Sequence, residues 1–298
     1  MTVAGTVRSY ATLFRLPNLW TAPPDVLLGA ALVSTGAGIR PGPLAGLCVA
    51  SVFLYAAGTT LNDYVDAEED ARERPDRPIP SGDVSRTAAL AVGAAFLACG
   101  IAVAALVRPL SGGVAAALAA SILLYDGVFK HRRVGVVFMG GARGLNVLLG
   151  VSLAGTLDVS PAVLAVPAVV LGYIAAVTFM AAGETTGDNR GAVALAIAAV
   201  ALAGLAVVVR LVATSQGTAA AALALVFVVG FLAWTGRALR RAYHDPSPAT
   251  VGPAVGVCVL AQAVLDGAFA ATVGPAWGLV TAGLLVPAVA LSRVFDVT

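Results

Sequence analysis

The sequence is poor in charge. Of its 298 residues only 11% are Asp, Glu, Lys or Arg, against roughly 25% in an ordinary soluble domain, and the mean hydropathy is +0.92. That scarcity argues against a set of soluble modules and for an all-α bundle of transmembrane helices. Cysteine is scarce too. Cys48, Cys99 and Cys258 lie far apart inside apolar runs, which argues against a disulfide framework or cysteine-bound metal and leaves them as packed thiols. No nucleic-acid module is recognisable, and the formal net charge is only +2. The opening stretch is interrupted by Arg8 and Arg15 and does not read as a cleavable signal peptide. What is abundant is Ala, Val, Leu and Gly, a mixture that lets membrane helices approach closely. Residues 1–298 are therefore read as a single integral-membrane domain whose first partner is the lipid bilayer.

Apolar stretches long enough to cross roughly 30 Å of hydrocarbon fall near residues 17–36, 43–61, 87–107, 111–126, 134–156, 161–182, 191–213, 218–236, 251–271 and 276–292. That is ten spans, or nine if the last two include a re-entrant or tilted segment; the first is interrupted by Pro23, Pro24 and Asp25. With a cytoplasmic amino terminus, Arg8 and Arg15 are followed on the same side by Arg72, Arg74, Arg77 and Arg86, then Lys130, Arg132 and Arg133, then Arg190, then Arg237, Arg240 and Arg241. Arg40, Arg108 and Arg210 fall on the opposite side. The alternation satisfies the positive-inside bias. A tenth span also returns Arg293 to the cytoplasm.

Two acidic loops share that cytoplasmic side. The first begins Asn62-Asp63 and continues through Asp66 and Asp70. If the second span stays helical, residues three and four apart share a face, and the three aspartates form one stripe. Like charges this close repel unless divalent cations lie between them, and carboxylates together with substrate phosphates are ligands that Mg²⁺ accepts. Asn62 can add a neutral oxygen or hold a carboxylate in place. The competing reading is a solvated loop, which is how Glu68 and Glu69 are read. The second loop carries Glu184 and Asp188, one helical turn apart, with Gly183 and Gly187 allowing close backbone approach. These six residues are the candidate metal ligands.

Basic residues can complete the charge balance around a phosphorylated substrate. Lys130 and Arg77 are candidates for diphosphate oxygens, Lys as a flexible point charge and Arg as a fixed fork, with topology control as the alternative. Asp126 either orients Lys130 or lines a cavity. Arg143 and Asn146 fall inside the fifth span at i,i+3 spacing. Intramembrane polar groups face a cavity or a protein partner, so they either line the site or belong to a structural hydrogen-bond network. Gln262 and Asp266 form a similar pair in the ninth span.

Opposed carboxylates, Mg²⁺ and basic residues at the ends of apolar spans point to a lipophilic substrate with a phosphate head. Metal coordination stabilises a departing diphosphate while the greasy tail stays among the helices. An allylic isoprenyl diphosphate fits this chemistry well.

The motifs NDYVDAEED followed by RPIPSG, YDGVFK after the fourth span and GETTGD after the sixth resemble the UbiA superfamily of intramembrane prenyltransferases over nearly the whole chain. The resemblance implies a helical bundle, usually of nine spans, with Mg²⁺ and diphosphate held at two aspartate-rich motifs, and transfer of a prenyl group to an aromatic or other lipophilic acceptor. Asn62, Asp63, Asp66 and Asp70 match the first motif, Asp188 closes the second, and Glu184 stands where aspartate is more usual. Lys130 resembles the family's diphosphate-contacting lysine, and Arg15 a basic residue at the mouth. The expected catalytic group is Asp63, Asp66, Asp188 and Lys130; the expected substrate-binding group is Asn62, Arg15, Arg77, Lys130, Arg143 and Asn146. Cyclisation of an isoprenyl diphosphate, and a noncatalytic transporter or scaffold, are the alternatives.

Overall fold

The computed structural model describes residues 3–34, 39–182, 189–214 and 217–294, and every regular element among them is helical. In order they are α1 (Val3–Leu13), α2 (Leu16–Leu19), α3 (Ala22–Leu32), α4 (Pro41–Val65), α5 (Ala67–Glu73), α6 (Arg86–Val107), α7 (Pro109–Leu124), α8 (Gly135–Val151), α9 (Pro161–Ala182), α10 (Arg190–Thr214), α11 (Thr218–His244), α12 (Pro248–Ala271), α13 (Pro275–Gly283) and α14 (Leu285–Leu291). A π-helical turn, Tyr125–Phe129, prolongs α7, and a 3₁₀ turn, Ser152–Ala154, prolongs α8. Several starts follow from local chemistry. Pro41, Pro109, Pro161, Pro248 and Pro275 each open a helix, where a missing N–H costs nothing and the fixed φ suits the first turn. Ser85 caps α6 by accepting from the Ala88 amide at 3.1 Å, satisfying one of the free donors there.

Eight helical stretches among the described residues are long and apolar enough to span a bilayer, and they correspond to the second through ninth expected spans. The first and last expected spans are broken instead. The first divides into α2 and α3 at Trp20 and Thr21, just ahead of Pro23 and Pro24, which lie in the first turn of α3 together with Asp25. The last divides into α13 and α14, and the two broken segments pack on each other, α2 on α14 and α3 on α13. Outward-facing aliphatics such as Leu106 and Val212 are widely exposed, as a lipid-facing surface requires.

The core has two lobes. One gathers α9 to α12 with Leu28 of α3 and Val147 of α8; the other gathers α4, α6 and α7 with Val26 of α3 and Leu149 of α8. The α3–α8 pair is thus the seam of the bundle. Glycine makes that seam possible: a Cβ at Gly29 would lie 2.0 Å from the Val147 carbonyl oxygen, and one at Gly150 would lie 2.1 Å from that of Val26. The two backbones cross in direct contact, which only small residues allow.

Candidate functional site

The acidic stripe is formed as the spacing predicts. Helical i to i−4 bonding runs through the junction of α4 and α5, with Asp66 N–H donating to Asn62 O and Asp70 N–H to Asp66 O at 2.9 and 2.8 Å. Arg77 then bridges two members of the stripe, reaching Asp63 Oδ1 at 3.3 Å and Asp70 Oδ2 at 2.8 Å. Arg15, at the α1–α2 junction in a left-handed conformation (φ 49°), donates to Asp63 Oδ1 at 3.1 Å and to Asn62 Oδ1 at 3.4 Å. Lys130 Nζ pairs with Asp66 Oδ2. Glu68 faces outward with Arg86 as partner, in keeping with its reading as solvated.

The π-helical turn after α7 brings the fourth-span motif to the same place. Such wide turns recur where a helix must re-aim side chains, and here Tyr125, Asp126 and Lys130 all line one cavity. Asn62 Nδ2 donates to Asp126 Oδ1 at 2.8 Å, so Asn62 receives Arg15 on its oxygen and holds Asp126 with its nitrogen. Asp126 both lines the cavity and lies close to Lys130. Phe129 stacks on Phe138 at 4.7 Å between ring centres, fixing this turn against α8.

The cavity has a volume of about 390 Å³ and opens beside Arg15, Asn62 and Lys130. Its walls are mainly apolar, with Leu54, Leu118, Ile122, Phe138 and Met139 facing inward from α4, α7 and α8. The size and mixed lining are those of a small-molecule site. Arg143 and Asn146 also line it, yet they belong equally to a structural network. Arg143 donates to Thr21 O at 2.8 Å, to Thr21 Oγ1 at 2.8 Å and to Asp25 Oδ2 at 3.0 Å. Asn146 donates to Ala22 O and Asp25 Oδ2, both at 2.9 Å, and Gln262 donates to Asp25 Oδ1 at 2.7 Å. Asp266 adjoins Asp25 at this centre. Both readings of the fifth-span pair therefore apply at once, and Gln262 and Asp266 belong to the same network.

Glu184 and Asp188 lie outside the described residues. Just after them, Asn189 Nδ2 donates to Met180 O at 2.6 Å, joining the end of α9 to the start of α10. Among the described residues no three carboxylates converge on one point as a ready metal cage. The donor set nevertheless fits Mg²⁺, which uses one or two carboxylates alongside phosphate oxygens and water. Asp63, Asp66 and Asp70 each use a single oxygen in the ion pairs described, and each is paired with a cation that a metal and a phosphate would rearrange.

Sequence reasoning missed Asp25, Ser51 and Tyr55, and read Arg74, which also lines the cavity, as topology control alone. Asp25 had a signal: it is an ionisable residue inside an apolar span. Lys130 had a stronger one than its motif, since it is the only lysine in the chain.

Comparison with known proteins agrees with this geometry. The UbiA prenyltransferase family matches residues 24–251. A digeranylgeranylglyceryl phosphate synthase of Methanoregula boonei is 47% identical over 85 residues, 28% of this chain and 30% of that protein. The chain aligns with about half the length, or less, of the curated relatives considered. A solved structure of a digeranylgeranylglyceryl phosphate synthase superposes with a TM-score of 0.65 at 20% identity, covering 90% of this chain and 98% of the other. A UbiA homologue from Archaeoglobus fulgidus bound to DMAPP and Mg²⁺ superposes with a TM-score of 0.64 at 16% identity, covering 92% and 99%. With most of its length matched by the family and its fold shared with these structures, the chain belongs to the UbiA prenyltransferase family.

Proposed function

We propose that the protein transfers a prenyl group, in a Mg²⁺-dependent reaction within the membrane, from an isoprenyl diphosphate to an aromatic or other lipophilic acceptor. The observation that carries this is the joining of two unlike halves: a mainly apolar cavity lined at one end by Arg15, Asn62, Asp126 and Lys130, and the ion pairs by which Arg15 and Lys130 hold Asp63 and Asp66 beside it, with Arg77 joining Asp63 to Asp70. A molecule filling both has a polyanionic head and a hydrocarbon tail.

Lys130 and the two arginines are placed to turn from carboxylates to diphosphate oxygens, and Asn62 keeps Asp126 and Arg15 in register around the head group. The chamber walls exclude water, which strengthens each of these charge interactions and protects an allylic cation from hydrolysis. The C1–O bond breaks with its electron pair leaving on diphosphate; the acceptor nucleophile bonds to C1 and gives up its proton to the released diphosphate. Bound Mg²⁺ would neutralise the head group and the charge that develops on departure, with Asp63, Asp66, Asp70, Glu184 and Asp188 as its holders. The relatives named digeranylgeranylglyceryl phosphate synthases and the UbiA homologue whose structure is bound to DMAPP and Mg²⁺ support the donor class. We also place the amino terminus and both acidic motifs on the cytoplasmic side, on the distribution of basic residues.

The test is incubation of purified protein with Mg²⁺ and isoprenyl diphosphates of several lengths, with and without a cell extract as acceptor source, followed by mass analysis of products. A prenylated acceptor is expected, and Asp63→Ala and Asp66→Ala should abolish diphosphate release while leaving the protein inserted. Undiminished turnover in both variants would overturn the site; a cyclic hydrocarbon product would instead assign a cyclase.

A further inference from the structure

A second groove, of about 600 Å³, runs along α9 and α10 and shares no lining residue with the chamber. Gly172, Ala175 and Ala199 hollow it out beside the taller Phe179 and Leu202. Leu202 is 64% exposed, so the groove faces the lipid. From Phe179 to Val169 it follows α9 for about 15 Å at 1.5 Å per residue, half of a hydrocarbon core roughly 30 Å thick. Its depth is therefore that of one leaflet, and Phe179 lies near the end of α9, on the side of the bundle that holds the mouth.

One charged side chain lines this groove among the described residues, Arg133, just ahead of α8. It is exposed, and its guanidinium has no ion pair or hydrogen bond among the described residues; the neighbouring Arg132 instead lies 5.8 Å from the centre of the Phe129 ring. An uncommitted guanidinium at the head of an apolar groove offers a planar fork to phosphate oxygens. Past Val169 and Leu202 a further hollow leads on to Arg210, but that guanidinium is already held by the Thr272 hydroxyl at 3.0 Å and the Ala162 carbonyl at 3.4 Å. A second copy of the chain is a poor occupant. The outward-facing spans α6, α10 and α11 contain no acidic residue, so none of them packed along the groove brings Arg133 a partner.

We propose that this groove binds an anionic glycerophospholipid of the leaflet on the mouth side, with one hydrocarbon chain lying against α9 and α10 and the phosphate held by Arg133. A zwitterionic lipid presents the same phosphate with its charge cancelled by choline, so the net charge of the head group is what Arg133 selects. The site is separate from the chamber and does not rest on prenyl transfer.

The experiment counts lipids on the purified full-length protein by native mass spectrometry, in neutral detergent titrated with dioleoyl phosphatidylglycerol or dioleoyl phosphatidylcholine. The first phosphatidylglycerol should bind about fivefold more tightly than the first phosphatidylcholine, the worth of one basic residue at an anionic surface. Arg133→Gln should bring the two lipids to within about twofold of each other. Arg237→Gln, at an exposed arginine of α11 outside the groove, should leave the preference intact. Gly172→Leu keeps the guanidinium and fills the groove; a Cβ there meets nothing within 4 Å, so the fold accommodates it, and both lipids should lose affinity by about fivefold as chain contact is lost. Equal binding of the two lipids by the wild type, a preference that survives Arg133→Gln, or unchanged binding in Gly172→Leu would overturn the site. A dimer that Gly172→Leu dissociates would give the groove to a second copy, and displacement of phosphatidylglycerol by an isoprenyl thiolodiphosphate would give it to the substrate; either result also overturns the proposal.

Discussion

Replacing Asp25 with leucine removes the acceptor on which the interior network converges. Asp25 is fully buried and takes hydrogen bonds from Arg143, Asn146 and Gln262 at 3.0, 2.9 and 2.7 Å. Those donors come from α8 and α12 while Asp25 sits on α3, so one carboxylate joins three helices of the seam. Breaking a buried ion pair from one side strands the other charge, and the penalty is typically about 3–5 kcal/mol. Arg143 keeps its bonds to the Thr21 carbonyl and hydroxyl, and Asp266 beside Asp25 offers a second carboxylate. Both compensate in part, which places the expected loss for Asp25→Leu near the lower figure, about 3 kcal/mol. Asp25→Leu combined with Asp266→Asn removes the substitute and should cost more than the two single changes added. Replacing Asp25 and Arg143 together, by Leu and Met, should recover much of the loss, because an apolar pair of similar volume leaves no stranded charge. The assay is reversible unfolding in mixed micelles by denaturant titration, with the four proteins of each cycle compared at one detergent composition. A loss below about 1 kcal/mol for Asp25→Leu, or a double Leu/Met variant less stable than either single one, would refute the network as a source of stability.

Lys130→Met should weaken diphosphate binding by roughly ten- to a hundredfold, the worth of one charge-assisted hydrogen bond, with unfolding unchanged, read by calorimetry with a thiolodiphosphate analogue of an isoprenyl diphosphate in Mg²⁺. Lys130→Arg should restore only part of that affinity, since a planar fork does not reproduce a point charge on a flexible stem. Gly29→Val should lower stability by more than about 3 kcal/mol, beyond an ordinary overpacked core, because its first added atom would sit 2.0 Å from a backbone oxygen of α8; thermal unfolding checks it, and a wild-type melting temperature would show that the seam yields. Arg15→Ala should reduce diphosphate binding while sparing the fold, its contacts being with Asn62 and Asp63; loss of the folded protein would count against a role confined to the mouth.

The long spans were legible because each is a run dominated by small and aliphatic residues, with few polar interruptions such as Arg143 and Asp266, and length decides such runs. The acidic stripe was legible for a related reason: α4 continues through Asp66, and helical spacing is a property of the local chain. The termini of the bundle were harder. Residues 17–36 and 276–292 have the composition of spans, but α2, α3, α13 and α14 are stabilised by one another, a relation between opposite ends of the chain. Asp25 was hidden for the same physical reason. In the run Ala22-Pro-Pro-Asp25 it reads as an interruption of the first span, and its donors stand at positions 143, 146 and 262. The i,i+3 spacing of Arg143 and Asn146 showed that they share a face, and nothing local says what that face meets.

The two polar systems on either side of the chamber differ in a way that assigns their roles. At the mouth the cations keep some exposure, 24% for the Arg15 side chain and 21% for Lys130, and each is tied to its carboxylate by a single oxygen contact. The cations are partly solvated although Asp63 and Asp70 are buried, so these pairs separate readily when a ligand of higher charge takes the cations and a metal ion takes the carboxylates. In the interior Asp25 has no exposure, its acceptors are used from three directions, and the same exchange would strand a charge away from water. A system that must open to a diphosphate and one that must hold helices in contact cannot share the same energetics. About two turns of α4 separate Asn62 at the mouth from Tyr55, whose ring centre lies 5.3 Å from the Arg143 guanidinium. What lies between is lined mainly by hydrocarbon side chains. The seam that stabilises the bundle touches the chamber through Arg143 and Asn146, while the head group is met at the other end. Asp25→Asn should therefore lower stability with Mg²⁺-dependent binding of a diphosphate analogue retained, the reverse of Lys130→Met; weakened binding by a folded Asp25→Asn protein would show that the two systems are coupled.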